Sequence, residues 1–356
     1  LPFFAVFNLQ RTHESGMWPE NCPRLEFDPR DMVLPPFFPD TPAVREAMAR
    51  MHTNIACNDR RLGELLQQLD EDGLAADTFV FHWSDHGPLP RGKRWLYDAG
   101  IHVPLIARGP GIAAGSVSDE LVSTIDLGPT MLSLAGLEVP RHMQGQAFLG
   151  ARAAPPRQYV HAARDRHDEA YDKVRAVRDK RFKYIRNDCP ELPYLLWIPY
   201  LNRHPVMQEM WRCHLAGELD DVQSLIFRPR PVEELYDTAA DPHEVRNLAG
   251  DPACRDELRR LRAALEAWLA EVGDMGEIPE AEMVRRWYPD GRQPRTAPPL
   301  FIPICADNPG LAPAPGGGTF AAPLLVQLHC ATQGASIAWT CEEGEKPRWR
   351  LYTAPL

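Results

Sequence analysis

Thr78-Phe79-Val80-Phe81-His82-Trp83-Ser84-Asp85-His86-Gly87 is the stretch that decides how this chain folds. Its first six residues are β-branched or aromatic and read as a strand. Ser-Asp-His-Gly follows where that strand ends, and Lys93-Arg94-Trp95-Leu96-Tyr97 comes a short loop later. Open α/β sheets place ligands at the carboxyl ends of their strands. A carboxylate beside an imidazole at such an end suits a divalent cation, and a lysine nearby suits an anion bound to that cation.

Upstream, Thr41-Pro42 gives an N-cap with proline at the first helical position. Val44, Met48, Met51, Ile55, Leu62, Leu65, Leu66 and Leu69 then recur at helical spacing, and Gly73 supplies a stop. A long helix, a buried strand and a site at its tip are α/β logic. Residues 3–9 are apolar and predict a buried strand, and residues 14–40 are Pro-rich and irregular. Residues 102–107 predict another strand, and Asp126 caps a helix through Leu134 that ends at Gly136. Strands are expected at 158–163 and 173–186, with the polar loop Arg164–Glu169 between them. The basic run Arg178-Asp179-Lys180-Arg181-Phe182-Lys183 reads as the solvated face of an edge strand. Residues 189–232 show no clear period, and Asp251-Pro252 opens an amphipathic helix carrying Leu258, Leu261, Leu265, Trp268, Leu269 and Val272.

The 356 residues are 44% hydrophobic and 25% charged, an ordinary globular composition with room for two or three domains. A net charge of −10 argues against a nucleic-acid partner, which needs a basic face. The eight cysteines have no zinc or Cys-x-x-Cys spacing. Cys330 and Cys341 stand where a cross-strand pair is open to them, with free buried thiols equally consistent. No apolar run approaches the ~20 residues of a membrane span.

Ser84-Asp85-His86-Gly87, then Lys93 and Tyr97, then Val103-Pro104-Leu105-Ile106 resemble, in that order, the sulfatase family of the alkaline-phosphatase-like superfamily. Residues 2–9 followed by His13 resemble the sulfatase strand that delivers an active-site histidine. Glu234-Leu235-Tyr236-Asp237 with Asp241-Pro242-His243-Glu244 and Asn247-Leu248 resembles the start of the family's C-terminal subdomain. Pro88–Lys93 and Arg181–Asn187 are most similar to bacterial members of the heparan N-sulfatase-like branch. The resemblance implies an α/β fold: a mixed sheet flanked by helices, with a smaller α+β C-terminal subdomain. Residues 1–155 would be the later part of the catalytic core and 156–288 the rest of that core with the subdomain. A Pro/Gly-rich linker would occupy 289–318. Residues 319–356 resemble part of a chitobiase-type β-sandwich.

The same resemblance implies sulfate-ester or N-sulfate hydrolysis of a sulfated carbohydrate or an aryl sulfate. Asp85 and His86 would ligate calcium, or another divalent cation. Lys93 would meet the sulfate, and His13 would bind it and protonate the leaving group. Arg91, Arg166 and His167 would line the substrate pocket. Glu234, Tyr236 and Asp237 would stabilise the subdomain. One departure matters: the family's Cys/Ser-x-Pro-x-Arg nucleophile motif is missing, because in Cys22-Pro23-Arg24 the proline and arginine come too early. The expectation is therefore a fragment of a periplasmic or secreted enzyme, inactive by itself. The alternatives are a phosphonate or phosphodiester hydrolase of the same superfamily, or a truncated, non-catalytic carbohydrate-binding protein.

Overall fold

The computed structural model describes residues 3–87, 92–292, 295–304, 317–321, 323–332 and 335–356. The chain divides into two compact units, Leu1–Gly276 and Glu277–Leu356.

In the first unit, helix α1 (Pro42–Glu71) begins as its sequence predicts, with the Thr41 hydroxyl accepting from the Val44 amide at 3.4 Å. Its fully buried residues lie between Val44 and Asn54, and the later leucines are only half-buried. Strand β1 (Val80–Trp83) pairs antiparallel with β2 (Leu105–Arg108), Val80 opposite Arg108 and Trp83 opposite Leu105. Between them lies α2 (Asp98–Ile101), and after them α3 (Leu127–Leu134), preceded by a 3-10 turn and ended at Gly136 with φ of 73°.

Four further strands form an antiparallel sheet in chain order: β3 (Val160–His167), β4 (Ala170–Arg178), β5 (Phe182–Asn187) and β6 (Glu233–Asp237). Between β5 and β6 the chain forms α4 (Pro199–Asn202) and α5 (Pro205–Ala216). Helix α6 (Arg255–Val272) then lays Leu261 and Leu265, both fully buried, against Val177, Tyr184 and Leu235 on one face of the sheet. Val174, Ala176, Ile185 and Tyr236 join Met48, Trp95, Tyr97, Met207 and Met210 in a second core, drawn from α1, α5 and the 95–97 loop. The fold is mixed α/β, with helices covering an antiparallel sheet.

Several expectations need correction. Residues 3–9 form no strand, and Phe4 is 77% exposed. Apolarity alone does not make a strand, which needs a partner ladder, and none of the described residues supplies one. The polar stretch 164–167 continues β3, because its side chains find partners across the β3–β4 hairpin. The run 173–186 is broken by a turn at Asp179–Arg181. The irregular 189–232 segment contains α5.

The largest correction concerns Lys183, read as solvated. It is fully buried on the inner strand β5. Its ammonium ion-pairs with Asp98 and with Glu244 at 2.8 Å, and donates to the Leu96 carbonyl at 3.1 Å. Burial pushes the Asp98 carboxyl up, but Lys183 and Arg178 outweigh it and hold the group below its ordinary range. Burial wins at Glu244, whose carboxyl is raised despite Lys183.

The second unit contains α7 (Glu280–Trp287) and two small antiparallel ladders: β7 (Leu300–Ile304) with β8 (Leu325–His329), and β9 (Ala338–Trp339) with β10 (Arg350–Leu351). Strand β7 lies in the stretch read as linker. Leu300-Phe301-Ile302-Pro303-Ile304 is apolar enough to pair despite its proline, which is tolerated at a sheet edge. The described cysteines are all free thiols. No helix among the described residues is long and apolar enough to cross a membrane.

Two stability effects follow. Lys183→Met removes one cation from between two buried carboxylates, and should cost about 3–5 kcal/mol in urea unfolding; a loss below about 1 kcal/mol would mean that Asp98 and Glu244 find other partners. His204 caps α5 by accepting from the Val206 amide at 3.3 Å, and burial, then the Arg94 cation, depresses it to about 4. Its folded pKa lies below the free value of 6.5, so the unfolded chain takes up the proton first. The urea midpoint should therefore fall as pH drops from about 6.5 toward 4, and His204→Gln should remove part of that slope; identical slopes would exclude His204 as a source.

Candidate functional site

Residues 95–98, just after Lys93, are fastened to the core. Trp95 Nε1 donates to the Tyr194 carbonyl at 2.9 Å, and the Tyr97 hydroxyl donates to buried Glu234 at 2.8 Å. Glu234 also accepts from Tyr236 and, at 2.6 Å, from Asn187. Leu96, Asp98 and the Asp98 amide engage Lys183 and Glu244. At the other end, the Gly87 amide donates to the Gly100 carbonyl at 2.9 Å, and a Cβ on Gly87 would stand 1.7 Å from the Ala99 oxygen. Only glycine permits this approach of the β1 tip to α2. The Lys-x-x-x-Tyr spacing thus has a mechanical meaning: the tyrosine end is anchored in the core, and the lysine end projects.

Lys93 projects into a cleft of about 470 Å³. His13 and Glu14 form one wall, Lys93 and Arg94 the floor, and His167, Asp168 and Glu169 the β3–β4 hairpin side; Pro199 and Tyr200 of α4 close it. His13 Nδ1 accepts from the Ser15 amide at 3.3 Å, with the Ser15 hydroxyl at 2.8 Å. The proton of the neutral ring then sits on Nε2, which makes it an N–H donor. Asn58 holds the loop beneath, donating to the Leu9 carbonyl at 2.9 Å and to Thr12 at 3.1 Å.

Arg94 is 4% exposed. Its Nε donates to His167 Nδ1 at 3.1 Å, and its Nη2 to Asp168 at 3.3 Å. Burial, then the Arg94 cation, depresses the His167 pKa, so the ring is neutral near pH 7 and accepts that bond. Asp168 occupies the turn with φ of 50°, a left-handed conformation that aspartate tolerates. Burial pushes its carboxyl up, but Arg94 and His167 outweigh that and lower it.

Of the residues proposed from sequence, His13, Lys93 and His167 meet in this cleft. Arg166 does not line it; its guanidinium donates to the Glu169 carbonyl at 2.9 Å and lies 5.8 Å from the Tyr171 ring. Arg91 lies outside the described residues. Asp85 and His86 stand at the β1 tip and do not line the cleft. The Asp85 carboxylate is 86% exposed and 3.6 Å from His86 Nε2. One carboxylate and one imidazole fall short of the six to eight oxygens that calcium takes. Among the described residues no three His, Cys, Asp or Glu converge as a metal site, so the donors present do not make up a cation site by themselves. Cys22 is buried, its thiol 3.5 Å from the Arg24 carbonyl.

Glu14, Arg94, Asp168 and Tyr200 were not foreseen. Glu14 and Arg94 had one available signal, as immediate neighbours of His13 and Lys93. Nothing local marks Asp168 or Tyr200.

A family profile described as Sulfatase matches residues 2–137, spanning His13, the β1 tip and Lys93. The chain belongs to the sulfatase family. A second profile, described as N-sulphoglucosamine sulphohydrolase, C-terminal, matches residues 86–191 and supports the heparan N-sulfatase-like branch. An ulvan-active sulfatase from Formosa agariphila is 36% identical, over 100% of this chain and 64% of that protein. Human N-sulphoglucosamine sulphohydrolase is 32% identical, over 73% of this chain and 55% of that protein. The chain thus spans less than two thirds of either relative. The crystal structure of a Bacteroides fragilis protein described as a sulfatase superposes with a TM-score of 0.50 at 18% identity, covering 70% of this chain and 49% of that one, a likeness of fold. Sulfatases as a family use a divalent metal.

Tyr97→Phe deletes one donor to a buried carboxylate. It should lower stability by about 1.5–3 kcal/mol and speed amide exchange over residues 92–98 ahead of the rest of the sheet. Exchange rising uniformly instead would show that Tyr97 does not fasten the loop.

Proposed function

We propose that the protein carrying this chain hydrolyses sulfate esters or N-sulfates of sulfated carbohydrates. The observation that carries this reading is the meeting of His13 and Lys93 across one cleft, on a loop pinned by the core. Two relatives are named for sulfated sugars, ulvan and N-sulphoglucosamine, which supports a sugar as the sulfate carrier.

The chain's own residues define the steps they can perform. Lys93 and Arg94 offset sulfate charge, Lys93 as a mobile ammonium and Arg94 as a fixed, buried guanidinium. His13 Nε2–H donates to the leaving oxygen or nitrogen as negative charge develops there. His167 fixes Arg94. A formylglycine nucleophile, and calcium at Asp85 and His86, are readings from the family resemblance. The described donors do not complete a cation site, so no step is drawn through one. A periplasmic or extracellular location is proposed on the same resemblance. Phosphonate or phosphodiester hydrolysis, and carbohydrate binding without catalysis, gain no support from the two sulfatase relatives.

In the intact enzyme, His13→Ala and Lys93→Ala should each lower turnover by roughly a hundred- to a thousand-fold on sugar sulfates, and by less on activated aryl sulfates, whose leaving groups need little help. Equal losses on both substrates would confine the two residues to sulfate binding. A preference for phosphate diesters would replace the reading altogether.

A further inference from the structure

One ring nitrogen of the cleft stands between two partners that it cannot serve together. His167 Nδ1 lies 3.1 Å from Arg94 Nε, a donor, and 3.1 Å from the Asp168 carboxylate, an acceptor. Without a proton, Nδ1 has one lone pair and accepts from Arg94. With a proton it can only donate, and Asp168 is the acceptor within reach. The proton therefore decides which bond forms.

The surroundings hold all three groups in place for that choice. The β3–β4 turn sets Asp168 beside the ring in a left-handed conformation, and the ladder pairs His167 with Ala170. Arg94 is buried, and it keeps a contact of 3.3 Å to Asp168 through Nη2 whichever way Nδ1 turns. The His167 side chain is 26% exposed, so protons reach it from the cleft. Burial, then Arg94, lower its pKa; Asp168 raises it and Lys93 lowers it. Glu14 and Glu169 line the same cleft and favour a charged ring, while a charged His13 would oppose it. The Tyr200 phenol, raised by burial and then by Glu14, stays uncharged. Behind the ring stand Arg164, Asp172 and Tyr194, where the Asp172 charge is already matched by Arg164 and Arg230.

We propose that His167 is a positioning residue whose Nδ1 exchanges Arg94 for Asp168 when it takes up a proton. The neutral ring fixes Arg94 in the cleft floor, and the charged ring lets it go. One proton passes from solvent to Nδ1, the Arg94 Nε–H bond to Nδ1 breaks, and an Nδ1–H bond to Asp168 forms. This exchange follows from the three side chains alone; only its effect on turnover rests on the sulfate reading of the site. There the acid form should be the poorer catalyst without being the poorer anion binder. It loses the fixed placement of one cation while the cleft gains one positive charge.

The test has two arms, both on the intact protein that carries this chain. The first is a pH titration by NMR with isotope-labelled histidine and arginine, the signals assigned with His167→Asn and Arg94→Lys. The His167 ring and the Arg94 Nε–H should move with one shared midpoint, below the ordinary histidine value. Asp168→Asn removes the carboxylate that favours the charged ring, and should shift that midpoint to lower pH. An Arg94 signal that ignores the ring, or a midpoint unmoved by Asp168→Asn, would overturn the proposal. The second arm is turnover of a sugar sulfate against pH. Below the same midpoint kcat should fall, while inhibition by inorganic sulfate stays as tight or tightens. His167→Asn keeps an amide oxygen near the Nδ1 position and does not titrate, so it should abolish that acid loss. His167→Ala offers no acceptor and should lower kcat roughly tenfold or more at neutral pH. An acid loss unchanged in His167→Asn would strip the residue of its positioning role. A shared midpoint in a protein that hydrolyses no sulfate would sink the sulfate reading and leave the exchange standing. Should the variants fail to fold, the unaltered protein decides: separate midpoints for the ring and for Arg94 refute the proposal.

Discussion

Lys183 lies in a cage made of Asp98, Glu244 and the Leu96 carbonyl. Three distant parts of the chain meet on one ammonium: the loop leading from the β1 tip, an inner strand of the sheet, and the segment after β6. A buried cation tolerates few arrangements, because each missing partner leaves an uncompensated charge. That intolerance fixes where residues 95–98 run. Hydrophobic burial of Trp95, Leu96 and Tyr97 gives the loop its affinity for the core, and the cage gives it its register. Lys93, a few residues upstream, inherits its position from both.

The cleft is assembled from four separate pieces: the turn after residues 3–9, the Lys93 loop, the β3–β4 hairpin and the short helix α4. None contributes more than three lining residues. Arg94 joins the pieces, reaching toward Glu14 on one side and His167 and Asp168 on the other. Its burial makes it rigid, whereas Lys93 retains some solvent contact and freedom to follow a ligand. The pairing of a fixed and a mobile cation is suited to holding an anion whose charge moves during reaction.

Much of the fold was legible because its signals are local. Thr41-Pro42, the α1 periodicity, the 78–83 run and the leucines of α6 each carry their structure within one segment, and each formed. The ordered spacing from Ser84 to Ile106 singled out Lys93, and the resemblance of residues 2–9 singled out His13; both line one cleft. Lys183 was illegible for the opposite reason. A lysine in an alternating basic run looks solvated unless Asp98 and Glu244 are known to converge on it, and they lie 85 and 61 residues away in sequence. Residues 3–9 misled because apolar side chains state a preference for burial without naming a partner strand. Arg94, Glu14 and Tyr200 are ordinary residues until the fold turns them into one cavity.

The two-residue turn at Asp168 and Glu169 has an evolutionary corollary. It forms a cleft wall from the surface tip of a hairpin whose base is locked into the sheet. Lengthening such a tip adds little closure entropy and disturbs no buried ladder. The Lys93 loop, in contrast, is tied at Trp95, Leu96, Tyr97 and Asp98 and admits almost no insertion. Variation among relatives of this chain would accordingly accumulate on the hairpin side, reshaping what the cavity admits, while the position of Lys93 is inherited unaltered.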